Sequence, residues 1–285
     1  DLTHATNRTT AMHHDNTSNH VDPDAILGHR LHGSGPRHVI VLHDWMGDAA
    51  NYDPIIPWLD SNAFTYAFAD VRGYGASKSI AGCYSSEEIA RDITNLANHL
   101  GWPRYGLVGH SMSAMAVFRH LVDDARSERR ITRAVAITPV TASGYPATAD
   151  DRAFLAGTIT DDAVAVAAYG ALTGGRSPRR WAEDKTARHR AVSSVTAVRG
   201  YYDMWLGEDF AQSFASAGID IPVLVIGGRN DLPGFQQQRL ESELRDVLSN
   251  VEFTYIENAG HYPMIETPLW LAALVEAFLA GDGTA

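Results

Sequence analysis

The sequence predicts an α/β protein in which a mainly parallel, doubly wound sheet is interrupted once by a helical insertion. Two observations favour this fold class. From Ala25 onward, short apolar runs typical of strands alternate with longer runs of helical periodicity, which indicates a parallel sheet covered on both faces. The alternation stops between Pro139 and about Ala217, where alanine-rich helical stretches follow one another without a strand.

These patterns divide the chain into three parts. Residues 1–22 are rich in Thr, Asn and His and predict a polar arm outside the core. Residues 23–139 and 218–285 form the predicted α/β core, and residues 140–217 form a predicted helical cap. Because open α/β sheets bind ligands at the carboxyl ends of their strands, we expect the cap to lie over that edge.

The positions of the elements follow from the spacing of apolar residues along the chain. The predicted strands lie near 25–31, 37–43, 65–70, 104–108, 131–137, 222–226 and 252–256. The predicted core helices lie near 52–59, 86–100, 113–124, 235–249 and 268–280, and the cap helices near 161–172, 178–190 and 195–205.

Composition indicates an ordinary globular domain and argues against two classes of partner. A chain of 285 residues with 45% hydrophobic content can bury one large core. No apolar run reaches the roughly 18 residues that a bilayer span needs, so no membrane partner is expected. A formal charge of −11 argues against nucleic acid, which requires clustered Lys and Arg. The expected partner is a small-molecule substrate, and the oligomeric state stays open.

Other chemistry finds little support in the sequence. Cys83 is the one cysteine, so no internal disulfide is expected. His13, His14 and His20 match no compact ligand template, and no dinucleotide fingerprint follows a predicted strand, so we expect neither a metal nor an organic cofactor. The first thirty residues lack the pattern of a secretory leader. We therefore expect a cytoplasmic location, with a removed upstream leader left open.

Ser111 lies at the junction between an apolar strand-like run and a helix-like run. A serine at such a tight turn is held out of both elements, with its oxygen exposed beside the first free amides of the helix. Gly109 provides the space that the sharp turn requires. Ser113 occupies the position where a second glycine would complete G-x-S-x-G, so close packing must accommodate its hydroxyl. The pattern predicts that Ser111 is a nucleophile.

Asp231 and His261 follow two later predicted strands. Asp231 comes after the buried run 221–226 and its glycine turn, and His261 comes after the alternating run 251–256. The order serine, acid, histidine is the one expected when the serine lies on a strand-to-helix turn of this kind.

Five segments, taken in chain order, resemble the α/β-hydrolase family. They are 39–45, 68–77, the turn around Ser111, 228–231 and 258–263. The resemblance covers about residues 25–279 and implies a sheet of the α/β-hydrolase type, a cap over the pocket and serine-esterase-like chemistry. One position departs from the family, which usually has glycine where Asp44 follows His43.

The chemistry of the candidate residues predicts a catalytic triad. The Ser111 hydroxyl needs a neighbouring base, and the pKa of His261 suits that role. Asp231 is expected to orient the imidazole and stabilise its protonated form. The backbone amides of Trp45 and Met112 are the expected oxyanion hole.

Four further residues are candidates for the substrate pocket. His43 is the first, although it can instead fix the oxyanion loop through hydrogen bonds. Asp44 can position a water or a polar substrate group, or simply cap the turn. Tyr201 and Trp205 can face the substrate, or pack within the cap like its other aromatic residues.

The predicted function is hydrolysis of a carboxylic ester or lactone of a small organic substrate through an acyl-serine. A carbon–carbon bond hydrolase or perhydrolase on the same triad stays open. So does a hydrolase-like small-molecule binder with little turnover. Dehalogenases and epoxide hydrolases of similar fold generally use a carboxylate nucleophile, and Ser111 argues against both.

Overall fold

A computed structural model describes residues 21–281. Within them, seven strands form one sheet in the order β1-β3-β2-β4-β5-β6-β7. β1 is antiparallel to β3, and the other neighbouring pairs are parallel. The strands are β1 His29–Gly33, β2 Arg37–Leu42, β3 Phe64–Ala69, β4 Tyr105–His110, β5 Ile131–Ile137, β6 Val223–Gly228 and β7 Val251–Ile256. The predicted α/β fold with a mainly parallel sheet is confirmed.

Helices connect the strands and follow the sheet at the end of the chain. Those outside the insertion are α1 Ser86–His99, α2 Met112–Ala125, α8 Gln237–Leu244, α9 Pro263–Glu266 and α10 Pro268–Ala280. Every residue of β4 and β6 is buried, which explains why their sequences are apolar runs without alternation. In the described part of the chain, no helix is long and apolar enough to cross a membrane.

Five helices lie between β5 and β6, where the sequence predicts an insertion. They are α3 Ala149–Thr158, α4 Asp162–Leu172, α5 Arg179–Val192, α6 Val195–Gly207 and α7 Ala211–Ala215. The first of them was not among the predicted helices. It begins with a capping box in which the side chains of Thr148 and Asp151 each accept the other's backbone amide.

Some boundaries differ from the prediction. Residues 52–59 do not form an α-helix, and two short 3-10 helices, Ala49–Tyr52 and Ile56–Trp58, occupy this region. Pro54 and Pro57 explain the difference, because proline has no amide hydrogen for an α-helical bond. The first strand begins at His29 rather than at residue 25, and α8 is shorter than the predicted 235–249.

Candidate active site

Ser111 occupies a strained turn between β4 and α2. Its φ of 56° and ψ of −115° lie in a region that side-chain-bearing residues rarely adopt. The amide of Ser111 donates to the Ile137 carbonyl at 2.9 Å, and the Val140 amide donates to the Ser111 carbonyl at 3.1 Å. A Cβ on Gly109 would come within 2.9 Å of the backbone of Ala114, so glycine is required there. The neighbouring strand thus holds the backbone that presents the serine.

Ser113 fits where the family pattern has glycine. The residue is fully buried, and its hydroxyl donates to the carbonyl of His43 at the end of β2. This hydrogen bond ties the serine turn to the loop that carries Trp45. Serine at this position therefore links two parts of the site.

Ser111, His261 and Asp231 form a hydrogen-bonded chain at the carboxyl edge of the sheet. His261 Nε2 lies 2.9 Å from Ser111 Oγ, and His261 Nδ1 lies 2.7 Å from Asp231 Oδ2. Asp231 also accepts the Leu232 amide at 2.7 Å. All three side chains are buried, and the ring of Phe235 packs 4.4 Å from the imidazole centre. The structure thus brings together the three residues that the sequence selected.

The backbone of His261 is fixed from two sides. Its amide donates to the carbonyl of Leu172 at the end of α4 (2.8 Å), and its carbonyl accepts a hydrogen bond from His110 Nε2 (2.7 Å). Glu266 accepts the amides of Gly260 and Tyr262 on either side of the histidine. The loop that carries the imidazole is therefore anchored to the sheet and to the insertion.

The pKa values of Asp231 and His261 reflect their burial and their contact with each other. Burial raises the pKa of Asp231, and the adjacent imidazole opposes that rise. Burial lowers the pKa of His261, but the charge and hydrogen bond of Asp231, together with the charges of Asp44 and Glu266, raise it, so the net pKa is raised. Asp231 therefore stabilises the protonated imidazole that proton transfer from a serine would create.

Two backbone amides are available beside the serine. In the described residues, neither the Trp45 amide nor the Met112 amide donates to a protein acceptor. Met112 begins α2, where the helix dipole favours negative charge. The loop of Trp45 is held by its indole, which donates to the Val198 carbonyl (2.8 Å), and by its carbonyl, which accepts from the Tyr74 hydroxyl (2.8 Å).

Asp44 is a buried carboxylate at the same site. Asn51 Nδ2 donates to its Oδ1 at 2.6 Å, while the Met46 amide and the Tyr262 hydroxyl donate to its Oδ2 at 3.2 and 3.0 Å. The buried ammonium of Lys185, on α5, donates to Asn51 Oδ1. The side-chain amide of Asn51 thus links the lysine cation to the carboxylate of Asp44.

A cavity of about 170 Å³ opens above the serine, between the sheet edge and the insertion. Its polar lining comes mainly from the sheet side, whereas α3, α4 and α6 contribute mostly apolar and aromatic side chains. The lining residues are Asp44, Trp45, Met46, Ser111, Tyr145, Asp151, Phe154, Leu155, Ala168, Ala171, Leu172, Trp205, Leu232, Phe235, His261 and Tyr262.

Two of the four pocket candidates lie at this cavity and two do not. Asp44 and Trp205 line it. His43 does not line it and instead has the alternative role of holding the loop through hydrogen bonds: its Nδ1 donates to the Asp44 carbonyl, and its Nε2 accepts the Val71 amide. Tyr201 also lies outside, because its ring packs in the interface between α6 and the core, against Tyr74 and Tyr84.

Sequence reasoning missed several residues of the site. Tyr262 follows His261 directly, so its position in the chain was a usable signal. Phe154 and Lys185 gave no such signal. Phe154 lies in α3, which was not predicted, and Lys185 lies in α5, whose many charged residues gave no reason to single it out. Asp70, at the end of β3, accepts the amides of Ala49 and Ala76 and joins two loops.

The other candidates lie away from this chemistry. Cys83 is exposed. His13, His14 and His20 lie outside the described residues, as does nearly all of the predicted arm 1–22. Across residues 21–281, no three side chains of His, Cys, Asp or Glu converge as a metal site would require.

Comparison with known proteins defines the class of this molecule. The sequence model of the alpha/beta hydrolase fold family matches residues 37–268 of this chain. The chain therefore belongs to the α/β-hydrolase family, and this membership supports hydrolase activity.

Relatives of different activity span nearly the whole chain. A soluble epoxide hydrolase of Corynebacterium sp. (strain C12) is 26% identical over 280 residues, which covers 90% of this chain and 95% of the relative. A pimeloyl-[acyl-carrier protein] methyl ester esterase of Klebsiella pneumoniae (strain 342) is 29% identical over 267 residues, with 87% and 94% covered. These two relatives differ in the bond they cleave.

Solved structures agree on the fold. A hydrolase from Oleispira antarctica superposes with a TM-score of 0.77 at 16% identity, covering 91% of this chain and 96% of that one. At this identity the likeness concerns the fold alone, so the reaction must be argued from the site.

Proposed function

We propose that the protein is a serine hydrolase that cleaves a carboxylic ester or lactone of a small, largely apolar substrate. The observation that carries the proposal is the 2.9 Å contact between Ser111 Oγ and His261 Nε2 at the floor of an apolar cavity. We further propose that α3–α7 act as the cap of this cavity.

In the first half of the reaction, Ser111 Oγ attacks the acyl carbon while His261 Nε2 takes the hydroxyl proton. Asp231 stabilises the imidazolium, and the amides of Trp45 and Met112 donate to the oxyanion. The tetrahedral intermediate collapses when His261 returns the proton to the leaving alcohol. The C–O bond of the ester breaks, and an acyl-serine remains.

In the second half, water replaces the alcohol. His261 takes a proton from the water as its oxygen attacks the acyl carbon. Collapse of the second intermediate returns Ser111 to its hydroxyl form and releases the carboxylic acid. A lactone follows the same steps, with its alcohol still joined to the acyl group.

The nucleophile separates this reaction from epoxide opening. A carboxylate that opens an epoxide forms an ester, which an activated water can hydrolyse. A serine that opened one would form an ether, which has no carbonyl for water to attack. Because Ser111 occupies the nucleophile position, ester cleavage, as in the Klebsiella relative's name, fits this chain better than the Corynebacterium relative's reaction.

The test is replacement of the nucleophile. Ser111→Ala is expected to lower kcat on short activated esters by at least about 10⁴-fold while the protein stays folded. The matched control is Ser242→Ala, an exposed serine on α8, which should retain full activity. When treated with a fluorophosphonate, the wild type should also gain the mass of one phosphonyl group on Ser111, with loss of fluoride.

The same measurements address the alternatives. A protein that is labelled at Ser111 but turns over no ester or lactone would be a binder rather than a hydrolase. Full activity of Ser111→Ala would refute the serine mechanism. Release of carboxylate from vinylogous diketones, but not from esters, would favour carbon–carbon hydrolysis.

A further inference from the structure

Asp44 is a charged group at the cavity that the proposed mechanism does not use. Only 2% of the residue is exposed, yet it lines the cavity together with Ser111 and His261. It has three protein donors, whereas a carboxylate offers about four acceptor positions. Its Oδ1 has a single donor, Asn51, so it can accept a further hydrogen bond.

The charge of Asp44 is maintained by its surroundings. Burial would raise its pKa, but groups around it that carry or can gain positive charge, His110 first and Lys185 next, lower the pKa to about 2. His110 Nδ1 lies 3.7 Å from Oδ1, and burial lowers the pKa of this histidine to about 3. At neutral pH the carboxylate is therefore ionised and His110 is not a counter-ion.

The compensating cation, Lys185, does not line the cavity. It contacts Asn51 and the rings of Tyr169 and Tyr262. The lining contains no Lys or Arg, and its second carboxylate belongs to the exposed Asp151 at the rim. A substrate in the cavity thus meets the Asp44 carboxylate directly, whereas the compensating ammonium of Lys185 is not part of the lining.

The Asp44 carboxylate is expected to raise the energy of the transition state, and a suitable substrate group can offset this effect. Asp44 directly precedes Trp45, whose amide is one of the two proposed oxyanion donors. A carboxylate so close opposes the negative charge that develops in the transition state, and apolar walls strengthen the repulsion. A substrate N–H, O–H or ammonium group that donates to Asp44 would offset the repulsion, whereas a substrate carboxylate would add to it.

We propose that Asp44 determines the specificity of this pocket, selecting uncharged or cationic acyl substrates with a hydrogen-bond donor near the scissile bond and rejecting those with a carboxylate there. This inference rests on the proposed function, because it names the substrate class of the same serine site. It sets the chain apart from family members that have glycine at this position.

Three methyl esters of nearly equal shape test the inference. Methyl succinamate, methyl 4-oxopentanoate and monomethyl succinate carry CONH₂, COCH₃ and COO⁻ at the same place. We expect kcat/KM to fall in that order. The amide should exceed the carboxylate by at least about 30-fold, the discrimination that two unit charges roughly 8 Å apart produce at an effective dielectric constant of about 20.

Asp44→Asn should bring this ratio to within about 3-fold of unity, because the variant keeps the shape of the side chain but removes its charge. The matched control is Asp151→Asn, which removes the other carboxylate of the lining. Solvent screens that exposed group, so its ratio should stay within about 2-fold of the wild-type ratio. A ratio unchanged in Asp44→Asn, or changed equally in both variants, would overturn the proposal.

Binding separates a failure of specificity from a failure of the proposed function. Ser111→Ala cannot form an acyl-serine, so calorimetry on this variant measures the affinity of each intact ester. The amide should bind more tightly than the carboxylate, and adding Asp44→Asn should remove the difference. Equal affinities, or no binding of any ester, would overturn the role of Asp44. Selective binding without hydrolysis by the wild type would instead overturn the proposed function alone.

Discussion

The carboxyl edge of the sheet and the helical insertion contribute differently to the cavity. Ser111, Asp231 and His261 all follow strands of the sheet, whose backbone pairing fixes their positions. The insertion adds mainly apolar wall, for example Phe154 and Leu172. The difference teaches that the candidate reacting groups and the charged Asp44 are held at the ends of the strands, whereas the helices that pack over them contribute the apolar walls.

The insertion itself is not uniform. Helices α5 and α6 are tied to the core: Arg188 forms a two-bonded ion pair with Asp48, and the Val198 carbonyl accepts the indole of Trp45. Helix α3 buries only Thr158 and leaves Phe154 42% exposed at the cavity. We therefore expect substitutions in α5 to affect stability and those in α3 to affect substrate binding.

The largest effect is expected at the sheet edge. Asp231→Asn keeps the shape of the acid but removes the charge that stabilises the imidazolium and selects its tautomer. We expect kcat on esters to fall by about 10⁴-fold, with little change in thermal stability. Steady-state kinetics of the folded variant check this. A loss of less than about 10-fold would mean that another group supports His261.

The pH dependence of the reaction is the next test of the sheet edge. His261 must be neutral to accept the serine proton, and its pKa in the folded protein is raised by Asp231. The protonated form therefore persists to higher pH, and kcat/KM should fall as pH drops through a midpoint above 6.5, the ordinary value for histidine. A midpoint clearly below that value would contradict the assignment of His261 as the base.

Lys185→Met addresses the helix that is tied to the core. The substitution leaves Asn51 Oδ1 without its donor and the charge of Asp44 without its nearby cation. We expect the free energy of unfolding to fall by about 2–4 kcal/mol, measured by urea denaturation. On the same helix, Arg180 is exposed and pairs with Asp184, so Arg180→Met should change stability little. Equal losses of stability in Lys185→Met and Arg180→Met would contradict the proposal that the buried lysine ties α5 to the core.

The smallest effect is expected in α3. Phe154→Ala removes an aromatic wall from the cavity but little buried surface from the protein. We expect KM for apolar esters to rise about 3- to 10-fold, with kcat and the melting temperature nearly unchanged. Val195→Ala, at an exposed apolar residue of α6 that does not line the cavity, is the control and should alter none of these. A large loss of melting temperature in Phe154→Ala would show that α3 is as firmly packed as α5.

The sequence was informative where local pattern and sheet geometry act together. Apolar runs identified the strands, and the ends of neighbouring parallel strands must meet at one edge. The approach of Ser111, Asp231 and His261 could therefore be predicted although 150 residues separate the first from the last. The same reasoning failed for residues 52–59, where two prolines outweigh the helical spacing of the apolar residues.

Which side chains face the cavity could not be predicted in the same way. His43 and Tyr201 have residue types suited to a pocket, yet both have their contacts elsewhere. The rotation of a packed helix or loop depends on its partners in the fold, and these are not neighbours in sequence. Lys185 donates a hydrogen bond to Asn51, which lies 134 positions away in the sequence, and the sequence around neither residue indicates this contact.

The sequence by itself determined the fold class, the order of the strands' apolar runs and the identity of the proposed nucleophile, acid and base, because each depends on short-range pattern and on the common direction of parallel strands. The tertiary structure alone decided the walls of the cavity, the partners of Asp44 and the contrast between α3 and α5. These features depend on how the insertion packs against the sheet, and packing is a property of surfaces brought together from distant parts of the chain.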